Sequence, residues 1–176
     1  DEFWPGPLTM VVPALGIIPK VTTGGLDTVG IRMPSEPAAA ELISAAETPI
    51  AAPSANLSGK PSPTTYQHVM DDLDGRIDGI IAGGECKAGI ESTVVDMTEE
   101  TPVILRPGVI TAEQLSQTLG KTVGIDPALL EKPDIFNNGG LLQTDASFKP
   151  KAPGMKYKHY APKAEMIIFQ GEPENI

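Results

Sequence analysis

A chain of 176 residues, 40% hydrophobic and 20% charged, has room for one good-sized domain with an appendage, and its composition is neither fibrous nor disordered. Its formal net charge of −10 argues against broad nonspecific binding of a phosphate backbone, which needs clustered Lys and Arg. The single cysteine, Cys86, cannot close an internal disulfide, in keeping with a reducing compartment. No apolar run approaches the roughly 20 residues that span a bilayer.

Leu8–Val12 predicts a strand closed by Pro13, and Thr28–Met33 a second strand after the glycine-rich turn Val21–Asp27. Ser35 is the expected N-cap of a helix over about Glu36–Glu47, with Ala39, Leu42, Ile43 and Ala46 on one face. Ile50, Ala51 and Ala52 read as a short buried strand, ended by Pro53 because proline cannot donate to a ladder. A second helix is expected over about Thr65–Leu73, with Tyr66, Val69, Met70 and Leu73 in helical spacing and Gly75 just past its end. Ile77–Ala82 reads as another buried strand leading into Gly83-Gly84. Thr93–Met97 and Val103–Leu105 read as two strands joined by the turn Glu99–Pro102. Thr111 and Gln114 have capping-box form, opening a helix that carries Ala112, Leu115 and Leu119 inward and stops at Gly120. Interleaved helices and strands, with one tight strand pair, predict an α+β fold: a twisted mixed sheet with helices on its faces.

After Ile125 the periodicity fades. Pro127, Pro133, Asn137-Asn138 and Gly139-Gly140 mark a linker by composition. The stretch Ala152–Pro162 is rich in Tyr, Lys and His, and Glu165–Phe169 begins a strand-like run with nothing to pair against. The expected organisation is a domain over 1–125, a linker over 126–162 and the start of a further domain over 163–176. The chain reads as an excerpt of a longer protein, since it enters on Asp1-Glu2-Phe3-Trp4 without a methionine.

Four places combine turns with polar side chains: Thr28 with Arg32, Ser54–Ser62, Gly89–Thr93, and Arg106-Pro107-Gly108. Ser54 and Asn56 follow a predicted strand end, where open sheets bind ligands; they could equally satisfy their own turn. Arg32 is expected inside an apolar strand, where a charge is costly unless paired. It would be a fork for a carboxylate or phosphate, or a snorkelling side chain. Arg106 repeats the situation at a strand end, and two such arginines in an acidic chain tilt the reading toward anion binding. Gly89–Thr93 could form a backbone anion nest, but there is no glycine-rich phosphate loop or dinucleotide fingerprint. His68, His159 and Cys86 cannot build a zinc site with standard spacing. Cys86, beside Lys87, reads as an incidental thiol, and Asp71-Asp72 with Asp74 as a solvated helix end.

Taken in order, FWPGPLTMVVPA, GLDTVGIRMP, PIAAPSANLSGKPSPT, AGIESTVVD and ILRPG resemble the YrdC-like threonylcarbamoyl-AMP synthase family. They cover nearly all of Phe3–Gly108. APGMKYKHYAP is similar to the linker of longer members, which carry a Rossmann-like domain after it, and KAEMIIFQ would be that domain's first strand. The resemblance implies a YrdC-like fold and a cytoplasmic nucleotidyltransferase. It would make threonylcarbamoyl-AMP and pyrophosphate from ATP, bicarbonate and L-threonine, with Mg²⁺ accompanying the ATP. The product would feed a tRNA-modifying threonylcarbamoyl transferase complex, with no membrane partner and no strong direct nucleic-acid binding. By the same resemblance, Arg32 and Ser92 would hold threonine, and Thr28, Ser54, Asn56, Ser62, Arg106 and Tyr160 the nucleotide. His159 would belong with Tyr160 to a lid over the cavity. No side chain stands out as a general base. A Lys-x-Arg, the partner of Ser54-Ala55-Asn56, is expected upstream of Phe3. The competing expectations are a noncatalytic RNA-binding module of the same fold and the carbamoyl-transfer domain of a hydrogenase maturation protein.

Overall fold

The computed structural model describes residues 2–130. Its frame is a five-stranded mixed sheet. The strands are β1 (Leu8–Pro13), β2 (Thr28–Ile31), β3 (Thr93–Asp96), β4 (Val103–Arg106) and β5 (Gly124–Ile125), in the spatial order β2-β1-β3-β4-β5. β1 pairs antiparallel with β2 and parallel with β3, while β4 pairs antiparallel with β3 and parallel with β5. Four helices accompany it among the described residues: α1 (Pro37–Ala46), α2 (Tyr66–Leu73), α3 (Ala112–Leu119) and the short α4 (Pro127–Leu130).

Strand alternation splits the core in two. Leu8, Val95 and Ile104 pack on one face with Ile110, Val123 and Leu115 of α3. Val11, Val94 and Leu105 pack on the other. α3 is placed as expected: Thr111 and Gln114 form a reciprocal capping box, Leu115 is buried, and Gly120 closes the helix in the left-handed conformation. Leu119, expected inward, is 40% exposed.

Elsewhere the structure departs from expectation. Glu36, not Ser35, caps α1, its carboxylate accepting from Ala39 N–H at 2.7 Å. Pro37 is the reason: proline suits the first helical position, which makes its predecessor the cap. β2 stops at Ile31, two residues early. Ile50–Ala52 and Ile77–Ala82 are not strands. An apolar run becomes a strand only where a neighbour offers a ladder, and neither segment pairs with the edge strands β2 and β5. Their isoleucines stay accessible, Ile81 at 68%. The apolar stripes of α1 and α2 likewise leave no residue of either helix fully buried. Among the described residues no helix is long and apolar enough to cross a membrane.

Candidate functional site

Strand direction brings several predicted residues to one end of the sheet. The parallel strands β1 and β3 begin at this end, and their antiparallel neighbours β2 and β4 finish there. Ser92 therefore meets both Thr9 and Arg106, and Arg32 follows directly on Ile31. The β1–β2 register pairs Met10 with Ile31, so its next step faces Thr9 with Arg32. Thr9 stands between Arg32 on one side and Ser92 on the other.

Ser92 is the hub. It is 4% exposed, so each of its polar atoms needs a partner. Arg106 donates to the Ser92 carbonyl from Nε at 3.1 Å and from Nη2 at 2.9 Å, and from Nη2 to the Ser92 hydroxyl at 3.2 Å. The Ser92 and Thr9 hydroxyls share a hydrogen bond of 2.9 Å. One edge of the Arg106 guanidinium is thus committed to the protein, and among the described residues no hydrogen bond engages Nη1.

The next residue fixes the turn behind Arg106. Thr93, fully buried, donates its hydroxyl to the Ile110 carbonyl at 2.7 Å and accepts from Ile110 N–H at 3.0 Å. Between these two contacts the chain passes so close that a Cβ on Gly108 would lie 2.5 Å from the Glu91 carbonyl oxygen and 2.5 Å from Thr93 N. Gly108 was legible as a turn residue, whereas its tight fit against the backbone of β3 was not.

Arg32 is exposed and lies just beyond β2, not inside a buried strand. Arg32 is therefore not a buried charge in need of a partner, although it does lie at the sheet end. The ion pairs among the described residues are Lys20–Asp27 and Lys60–Asp72, so Arg32 engages neither. Thr28 opens β2 opposite Pro13, at the far end of the sheet and about 13 Å from Arg32 at ordinary strand rise. Thr28, Gly30 and Arg32 alternate onto one face. At Gly30 a Cβ would come within 3.3 Å of the Thr9 methyl, so the side-chain-free position leaves room between them.

The Ser54–Ser62 segment is a loop braced from within and from α2. Asn56 Nδ2 donates to the carbonyls of Leu57 at 2.9 Å and Lys60 at 3.1 Å. Asp72 accepts from Leu57 N–H at 3.1 Å and from the Lys60 ammonium. The hydrogen bond from Lys60 is the largest cause that holds the Asp72 carboxyl below its ordinary range; burial opposes it, and Leu57 N–H and the Lys60 charge add smaller lowering effects. Asp72 is therefore a loop anchor and not a solvated helix end; the sequence signal was only that a Lys lies twelve residues earlier. Ser54 is exposed, and Asn56 Oδ1 and Ser62 Oγ are buried without a hydrogen-bond partner among the described residues. The hydrogen bonds of this loop among the described residues run to itself and to α2, not to the sheet-end cluster. An open cavity of about 400 Å³ between α2 and residues 74–82, lined by Tyr66, Met70, Ile77 and Ile80, includes none of the predicted site residues. Tyr160 and His159 lie outside the described residues.

Comparison with known proteins sets this geometry in a lineage. A family model for a threonylcarbamoyl-AMP synthase C-terminal domain matches residues 110–176. The chain is 49% identical over 99% of its length to a threonylcarbamoyl-AMP synthase of Pyrococcus abyssi, covering 47% of that protein. It is equally 49% identical to the Bacillus subtilis threonylcarbamoyl-AMP synthase, covering 99% of this chain and 46% of that one. The crystal structure of P. abyssi Sua5 complexed with L-threonine superposes with a TM-score of 0.83 over 99% of this chain and 47% of that one. The chain thus spans about half the length of the curated relatives it matches. Since the Sua5–YciO–YrdC model, described as telomere recombination, matches residues 1–108, the chain belongs to that family.

Proposed function

We propose that this chain carries the catalytic part of an L-threonylcarbamoyladenylate synthase, a cytoplasmic nucleotidyltransferase acting on ATP, bicarbonate and L-threonine. The observation that carries the reading is the convergence of Arg32, Ser92 and Arg106 at one sheet end in a chain of net charge −10. The Arg32 guanidinium, free of the described ion pairs, would take the threonine carboxylate as a two-pronged fork. The outer edge of Arg106 would face phosphate. Support comes from the relatives' names and from the P. abyssi structure, whose ligand is L-threonine.

The chemistry this asks for is modest in covalent terms. The threonine amine and bicarbonate combine to a carbamate with loss of water. A carbamate oxygen then attacks the α-phosphorus of ATP, and pyrophosphate leaves. Two strand-end arginines and a buried hydroxyl supply positioning and charge neutralisation, which can account for large accelerations without a general base. Mg²⁺ enters this reading with ATP, on its phosphates; among the described residues no three His, Cys, Asp or Glu side chains come together to hold it. Ser54, Asn56 and Ser62 would line the nucleotide through the braced loop, with Thr28 farther along the same sheet face. The product would pass to a tRNA-modifying threonylcarbamoyl transferase complex. The test is pyrophosphate release by the full-length protein: release that needs both threonine and bicarbonate supports the reading, and release indifferent to threonine refutes it.

A further inference from the structure

We infer that Thr9 is a positioning residue for threonine recognition, acting by turning the Ser92 hydroxyl into a donor. A serine hydroxyl has one proton and two lone pairs. At Ser92 one lone pair already receives Arg106 Nη2 at 3.2 Å. The 2.9 Å contact with Thr9 can run in either direction. If Ser92 donates to Thr9, its only proton is spent inside the protein. If Thr9 donates to Ser92, both lone pairs are filled and the Ser92 proton must point to a third group.

An anionic ligand decides the direction. Hydrogen bonds to an ionised acceptor are roughly twice as strong as those between neutral groups, so a carboxylate at the sheet end draws the Ser92 proton outward. Thr9 then reverses its own hydroxyl and fills the vacated lone pair. Its half-buried place on β1, between the Arg32 position and Ser92, suits this task. Gly30, paired with the neighbouring Val11, puts no side chain against the Thr9 methyl, where a Cβ would come within 3.3 Å. Without Thr9 a buried lone pair on Ser92 would go unfilled when the ligand binds.

The inference rests on the reading of the site as a threonine site, and its test separates the two. Thr9→Val keeps the β-branched shape and strand preference and removes the hydroxyl; Thr9→Ser restores it. With the full-length protein, Thr9→Val should raise the KM and the calorimetric Kd for threonine about five- to tenfold, the scale of one hydrogen bond between neutral groups. The KM for ATP should stay within about twofold and Thr9→Ser near wild type, differences well under one hydrogen bond. An unchanged threonine Kd in Thr9→Val overturns the inference. So does an equal rise for threonine and ATP, or a failure of Thr9→Ser to rescue. If the wild-type protein binds no threonine, the functional reading falls first and takes the inference with it.

Discussion

Replacing Gly108 by alanine tests whether the site depends on the tight passage between the β4 turn and β3. The added Cβ would sit 2.5 Å from the Glu91 oxygen, 2.5 Å from Thr93 N and 2.8 Å from Ser92 C. All three are backbone atoms, so no flexible side chain can swing aside. Overpacking of this kind costs about 1–3 kcal/mol when the surroundings yield, and here the Thr93–Ile110 hydrogen bonds hold both walls. We expect a loss of about 3 kcal/mol, or roughly 6–12 °C in melting temperature at the sensitivity of a 150–250-residue protein. Relief of the clash must move Arg106 away from Ser92, so threonine affinity should fall in the same variant. Calorimetry with and without threonine reads both effects. Gly75→Ala is the contrast, since Gly75 has φ +70° but open space around it, and it should cost only about 1 kcal/mol. A Gly108→Ala protein that melts within about 2 °C of wild type, no more than the shift 1 kcal/mol would give, and binds threonine normally would refute the argument.

Thr93→Val should cost about 3 kcal/mol in urea unfolding, because it leaves the N–H and C=O of buried Ile110 without the partner they share; a loss under about 1 kcal/mol would contradict that account. Arg32→Ala should weaken threonine binding roughly 30-fold and ATP binding about twofold or less, as expected for one lost charge-assisted pair; equal losses by calorimetric titration would remove Arg32 from the threonine side. Asp72 has a lowered pKa in the fold, so its contribution to stability is present above the unfolded value and lost as pH falls through the folded one. Stability of wild type and Asp72→Asn should therefore differ at neutral pH and converge below the ordinary aspartate value of 3.8; a gap that persists unchanged in acid would refute the anchor role.

What the sequence revealed follows from how local each signal is. The alternation of β1, the hairpin of β3 and β4 and the capping box of α3 are written in neighbouring residues, and the structure contains each. Ile50–Ala52 and Ile77–Ala82 are as apolar as true strands, but strandhood depends on a partner that no local pattern encodes. Arg32 illustrates a half-legible residue: its charge in an apolar context was visible, while the end of β2 at Ile31 moved it into solvent. Thr9 and Asp72 were illegible for the opposite reason. Each looks ordinary on its own element and acquires meaning only from a residue brought to it by the fold, Ser92 in one case and Lys60 in the other.

The parallel seam between β1 and β3 also dictates an order of assembly. β1 with β2, and β3 with β4, are hairpin-like pairs whose strands are near in sequence, whereas Thr9 and Ser92 are 83 residues apart. Closing a loop of that length costs about 2 kcal/mol more in chain entropy than closing one of ten residues, and such distant contacts form slowly. The two halves of the site, Arg32 on one hairpin and Ser92 with Arg106 on the other, thus come together in the step that joins the hairpins. A ligand gripping both halves would act across that seam, so its binding would favour the joined sheet over the separated hairpins.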